Sequence, residues 1–214
     1  MLKTIVYVDG FNLYFGCLKN TAYRWLDLWA FAEQTAPSAS HIVQVRYFTA
    51  RVIHQPGYSP PVHQDTYLRA VATLPNVTTH LGEYRSHVKS LPEVPEPTDG
   101  TPPRMVKVRK MDEKGSDVNL ASYLLLDGFR NAYDQAVIVS NDSDLATPVT
   151  MVRTELGKKA VVLFPSLDKR RDPTSRLRQA ASRWFRVREA ALKRSLFLNN
   201  LSDAKGDFHK PPGW

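Results

Sequence analysis

The run Thr4-Ile5-Val6-Tyr7-Val8, stopped by Asp9-Gly10, decides the fold. Its β-branched and aromatic residues suit a pleated, packed surface, so it reads as a buried strand. Residues 11–19 and 28–34 follow as helical pieces, and 42–50 as a second strand. Residues 63–74 are helical, with Tyr67, Leu68, Val71 and Leu74 on one face and Pro75 as the stop. Residues 77–84 are strand-like. Residues 115–129 make a strong helix, with apolar residues at Val118, Leu120, Ala121, Leu124 and Leu125. A strand at 136–139, a helix at 145–156 with Gly157 behind it, and a strand at 160–164 complete the rhythm. Strands that alternate with helices predict an α/β fold with a parallel sheet covered on both faces.

One segment breaks that rhythm. Residues 92–103 hold Pro92, Pro95, Pro97, Pro102 and Pro103, with Asp99-Gly100 between them, and read as a loop. Strand-like runs at 81–88 and 105–108 flank it, which predicts a β-hairpin arm. Residues 174–198 read as one or two helices around a short segment at 184–187. The tail 202–214 carries Gly, Pro and charge and is expected to be frayed. The domain is placed at 1–190 with an insertion at about 85–110, and 191–214 form a helix end and flexible tail.

The chain has 214 residues, 43% apolar and 23% charged, which is ordinary for a globular protein and excludes wholesale disorder. One cysteine, Cys17, excludes an internal disulfide and argues against a Cys-based zinc site. No apolar run approaches the roughly 18 residues of a membrane span. Asp9 comes too early for a secretory leader, so a cytoplasmic protein is expected. Twenty-nine Lys and Arg against 21 Asp and Glu leave a net charge of +8, which favours a polyanionic partner, and nucleic acid is the commonest.

Four aspartates stand out by position. Asp9 ends the first strand, Asp117 opens the long helix, and Asp142 and Asp144 follow the strand at 136–139. The carboxyl ends of parallel strands form one rim where ligands bind, so these carboxylates are expected to converge. Asp117 shares a helix face with positions 120, 121, 124, 125 and 128, which puts a carboxylate at the edge of an apolar stripe. Clustered carboxylates repel unless a cation sits between them, and hard oxygen ligands suit Mg²⁺ or Mn²⁺. Each aspartate also has a plainer role open to it. Asp144 can cap a helix, Asp142 and Asp9 can form turns, and Asp117 can complement a helix dipole.

Three motifs carry a family resemblance. Val8-Asp9-Gly10-Phe11-Asn12-Leu13-Tyr14, Lys114-Gly115-Ser116-Asp117-Val118 and Ser140-Asn141-Asp142-Ser143-Asp144-Leu145 resemble, in family order, the motifs of NYN domains of the PIN-like nuclease superfamily, including LabA-like proteins. The match spans roughly residues 3–190. The resemblance implies a PIN-like, Rossmann-like fold and a metal-dependent ribonuclease site. By position, Asp9, Asp117, Asp142 and Asp144 match the metal-site acids, Asn12 the polar residue beside the first, and Lys114 and Ser140 flanking positions. Asn141 departs from the pattern, since Gly is common there.

Other chemistries are weakly supported. Phe11 stands where an aspartyl-nucleophile phosphatase needs a second Asp. There is no G-x-G-x-x-G or Walker sequence and no H-E-x-x-H pairing among the six histidines. Basic residues gather at Arg104, Lys107, Arg109, Lys110 and Lys114, and again over 169–194, including Arg176, Arg178 and Arg183. Phosphate contacts would give affinity, and Tyr84, Trp184 and Phe185 lie close enough in sequence to stack bases. The expected activity is hydrolysis of RNA, single-stranded, with bound Mg²⁺ or Mn²⁺; the alternative is a non-catalytic RNA-binding or regulatory module. A homodimer and a protein partner at the 85–110 arm stay open.

Overall fold

The computed structural model describes residues 1–52, 62–95 and 100–214. Its strands are β1 (Leu2–Asp9), β2 (Ser40–Ala50), β3 (Val77–Pro92), β4 (Met105–Lys114), β5 (Gln135–Val139), β6 (Lys159–Phe164), β7 (Arg183–Arg186), β8 (Asn200–Asp203) and β9 (Gly206–His209). Its helices are α1 (Gly10–Leu13), α2 (Leu28–Thr35), α3 (Val62–Val71), α4 (Ser116–Phe129), α5 (Ala146–Thr154), α6 (Ser175–Ala180) and α7 (Glu189–Arg194). Among the described residues seven strands form one sheet in the order β4-β3-β2-β1-β5-β6-β7, all parallel except β4 against β3. The expected α/β architecture is the one observed.

β1 is the middle of this sheet and is buried, as its apolar run predicts. Val6 and Val8 point into one layer with Leu13, Phe31, Tyr67 and Leu192. Ile5 and Tyr7 point into the other with Leu120, Leu124, Tyr133 and Val149. All four β1 side chains are buried. The chain runs outward from β1 through β2 to β3, then returns to lay β5 on the other side of β1. That reversal leaves a crevice between the carboxyl ends of β1 and β5, where ligands bind in open α/β sheets.

The arm is a hairpin, with β3 and β4 paired from Glu83↔Lys114 to Pro92↔Met105. Its strands run further than the expected 81–88 and 105–108. Of the proline-rich loop read at 92–103, residues 96–99 lie outside the described residues. Antiparallel pairing puts Tyr84, Lys107, Arg109 and Glu113 on one face and Arg85, Lys110 and Lys114 on the other.

Two local readings need correction. The piece at 11–19 is a single α turn followed by a π turn, Tyr14–Leu18, closed by Lys19 N–H on the Tyr14 carbonyl at 2.7 Å. The tail expected to fray forms the β8–β9 hairpin. Phe208 is buried in the core, and Arg69 lies over its ring at 4.1 Å while forking onto Asp203 at 2.7 and 2.6 Å. Trp214 packs on Trp25 and Tyr67. These contacts join residues far apart in sequence, so composition alone hid them.

Candidate functional site

Asp9 is the last residue of β1 and the cap of α1. Its Oδ1 accepts from the Asn12 backbone N–H at 3.0 Å. Its Oδ2 accepts from Asn12 Nδ2 at 2.7 Å and from the Ser140 hydroxyl at 2.9 Å. Ser140 follows β5 directly and is fully buried. Its Oγ also accepts from the Asp142 backbone N–H at 3.0 Å. Asn12 Oδ1 accepts from the Asn141 N–H at 3.2 Å. Two loops are thus tied across the crevice, with one carboxylate between them.

Asp9 is 8% exposed. Burial pushes its carboxyl above the ordinary value near 3.8, because a buried charge loses its water. The bonds from Asn12 and Ser140 oppose that rise, and the Asp142 charge adds to it. The sum is a carboxylate whose ionised form is held in place yet short of positive charge.

Asp142 caps the 3-10 turn Ser143–Leu145, its Oδ1 accepting from the Asp144 N–H at 2.9 Å. The cap is therefore Asp142, and Asp144 lies inside the turn with its side chain exposed. Asp117 is half-buried in the first turn of α4. That helix starts from Gly115 at φ +89°, a left-handed conformation that glycine adopts freely. Glu113 Oε1 accepts from the Ser116 N–H at 3.0 Å, so the arm supplies the cap of α4. Lys114 is exposed at the end of β4, opposite Glu83.

The expected basic residues divide between places. Arg104, Lys107, Arg109 and Lys110 are exposed on the arm. Arg176 and Arg178 are exposed on α6, whose approach is tied to the acidic loop by the Thr174 N–H donating to Asn141 Oδ1 at 3.0 Å. Arg183 stands at the amino end of β7, opposite Val161, and faces a separate groove of about 890 Å³ with Lys169 and Arg188. Trp184 and Phe185, on the same edge strand, are 37% and 41% exposed.

Sequence reading missed four participants. Glu113 was hidden because its partner is a backbone N–H. Asn141 was read as a departure, whereas its side chain anchors α6. Phe15 lies just past the first motif and Phe11 within it with no role assigned, yet both line a cavity of about 180 Å³ beside Asn12 and Asn141. Only the four-residue spacing of the two rings could have found them.

The NYN domain family model matches residues 3–187. The 6-hydroxy-3-succinoylpyridine 3-monooxygenase HspA of Pseudomonas putida (strain DSM 28022 / S16) is 32% identical over 198 residues, or 82% of this chain and 64% of that protein. The chain therefore spans less than two thirds of that curated relative's length. A crystal structure of a protein of unknown function from Vibrio parahaemolyticus is similar with a TM-score of 0.55 at 16% identity. That match covers 92% of this chain and 96% of the other, and shows likeness of fold alone.

Proposed function

The chain belongs to the NYN domain family, a nuclease-like group, and from that premise we propose that it hydrolyses phosphodiester bonds in single-stranded RNA with Mg²⁺ or Mn²⁺. The observation that carries this reading is buried Asp9, held between Asn12 and Ser140 with the Asp142 charge pressing on it. Oxygen donors of this kind fit a hard divalent cation. Asp9 uses three of the roughly four lone-pair sites of a carboxylate on Asn12 and Ser140, which leaves one for a cation. Among the described residues no three His, Cys, Asp or Glu side chains already stand as a ligand set. Asp9 and Asp142 are the pair that would hold the ion, with Asp117 and Asp144 to complete it. Bound there, such a cation supplies an activated water and offsets charge on a phosphate oxygen.

The chain's own residues do the rest. Asn12 and Ser140 favour the ionised form of Asp9 and aim it. Lys114 offsets charge on the leaving oxygen. Arg104, Lys107, Arg109, Lys110, Arg176 and Arg178 hold phosphates along the strand, while Arg183 serves its separate groove. Among the described residues no helix is long and apolar enough to cross a membrane.

The test is incubation with labelled single-stranded RNA. Cleavage is expected with Mn²⁺, is absent in EDTA, and is lost in Asp142→Asn. Mn²⁺ should also raise the melting temperature, since a ligand at a hundredfold excess over Kd stabilises the folded state by about 2.7 kcal/mol. Binding of RNA without cleavage and without that shift would favour the non-catalytic alternative.

The Pseudomonas relative supports a second reading, monooxygenation of a hydroxypyridine, on 32% identity over most of this chain. Such a reaction would need molecular oxygen and an external electron donor such as reduced nicotinamide. Oxygen uptake with 6-hydroxy-3-succinoylpyridine, reduced nicotinamide and added flavin, together with inert RNA, would put this reading first.

A further inference from the structure

The cavity beside the acidic loops takes Phe11, Asn12 and Asn141 from the motifs and the rest of its wall from outside them, and that wall is unlike a metal site. Phe11, Phe15, Phe164 and Pro165 give it apolar sides, Asn12 and Asn141 a polar edge, and Arg171 a positive rim. Its volume of about 180 Å³ is below the roughly 300–1,000 Å³ of whole-ligand pockets, so it suits a single ring system. Phe11 and Phe15 are nearly parallel, 20° apart in plane with centroids at 6.5 Å. Phe15 is 59% exposed.

Two further observations show that the cavity is built. The π turn Tyr14–Leu18 carries Phe15, and π turns inside helices occur often at functional positions. That turn is docked at Gly16, where an added Cβ would stand 1.7 Å from the Pro165 carbonyl oxygen. Only glycine allows this approach, and the Leu167 N–H closes it on the Gly16 carbonyl at 3.3 Å. Asn141 spends its Oδ1 on Thr174, which leaves its Nδ2 without an acceptor among the described residues. Arg171 is exposed and makes no ion pair among the described residues, while nearby Asp168 is already paired with Arg170. Lys19 Nζ lies 5.1 Å from the Phe15 centroid, an exposed contact that an incoming ring can displace.

We propose that Phe15 and Phe11, with Asn141 and Arg171, form a subsite for one nucleobase of single-stranded RNA, next to the phosphate addressed by Asp9 and Asp142. The base stacks on Phe15, Asn141 Nδ2 donates to an acceptor on its edge, and Arg171 and Lys19 meet the flanking phosphates. This assignment rests on the ribonuclease reading for its substrate class. A duplex cannot offer a base in this way, so the subsite selects unpaired strands.

The test reads binding apart from cleavage. Asp142→Asn protein in EDTA is titrated with a fluorescent single-stranded oligoribonucleotide, alone and carrying Phe15→Ala, Phe15→Leu or Phe15→Trp. Loss of one stacked base should weaken binding roughly tenfold in the Ala and Leu variants, and Trp should retain it. Phe15 is exposed, and equal melting temperatures verify that the variants fold. Arg171→Gln should lower the slope of log K against log salt by about 0.7, which Phe15→Ala leaves unchanged. Leu binding as tightly as Phe, or no binding of single-stranded RNA at all, overturns the subsite. Tenfold loss in a protein that never cleaves RNA upholds the subsite and sinks only the ribonuclease reading.

Discussion

Asp9 concentrates the electrostatics of the site in one side chain. Its raised pKa means that its contribution to stability is fully present below the ordinary value near 3.8 and is lost as pH rises through the raised one. Metal-free protein is therefore weakened at neutral pH by its own carboxylates. Asp142→Asn removes a like charge from Asp9 while its amide oxygen can still cap the Asp144 N–H. The expected outcome in EDTA is a higher melting temperature than wild type at pH 7, with the difference closing as the pH falls through the raised Asp9 value. A pH series of thermal melts checks it, and equal values at pH 7 would remove Asp142 from the Asp9 field. A second buried acid behaves differently. Asp127, 3% exposed, takes a forked pair from Arg46 at 2.7 and 2.9 Å and the Tyr7 hydroxyl at 2.7 Å. Burial, then the Asp127 charge, push the Tyr7 phenol far above its usual range. Asp127→Ala leaves the half-buried Arg46 guanidinium without its carboxylate and should cost about 3 kcal/mol in urea unfolding, with no direct effect on RNA binding.

At the scale of elements, α6 and the arm approach the crevice from opposite sides. α6 packs beside the acidic turn because Thr174 is tied to Asn141, and Arg153 donates to the carbonyls of Gln179, Ala180 and Ala181 at its far end. Arg176 and Arg178 are exposed on this short, anchored helix. Replacing both by Gln should lower the slope of log K against log salt by about 1.4, two single-strand phosphate contacts, and weaken binding equally for all sequences. Salt titrations of RNA binding measure this, and an unchanged slope would turn α6 away from the strand. The arm meets α1 where the Tyr84 ring lies 5.9 Å from that of Phe11, and it caps α4 through Glu113. Of these elements, the strands and α4 were legible from apolar runs and their period. The full length of the arm was not, because its pairs such as Arg85↔Asp112 and His87↔Lys110 are polar and gain stability only from the cross-strand ladder. The π turn was not legible either, since it depends on Gly16 meeting Pro165 across the fold.

Across the whole molecule, the return of the chain beside β1 makes the site. β2 and β3 carry the sequence away from Asp9, and β5 brings Ser140 and Asp142 back to it across 131 residues of chain. The C-terminal hairpin closes the opposite layer, where Phe208 joins the core under Arg69. Phe208→Ala should cost about 3–5 kcal/mol in urea unfolding, the usual range for a buried ring, and leave cleavage by the folded fraction intact. A smaller loss, within that of an exposed position, would mean that the hairpin is only loosely held.

The sequence by itself determined the strand–helix alternation, the buried character of β1 and the four aspartates at strand and helix ends, because these depend on residue type and local period. It also carried the family motifs. Only the tertiary structure decided that Ser140 and Asn12 share Asp9, that Asp142 and not Asp144 caps the turn, and that Phe15 stands beside them over a cavity. Each of those depends on which loop lies next to which, and that follows from strand order, a property of packing that no local stretch of sequence contains.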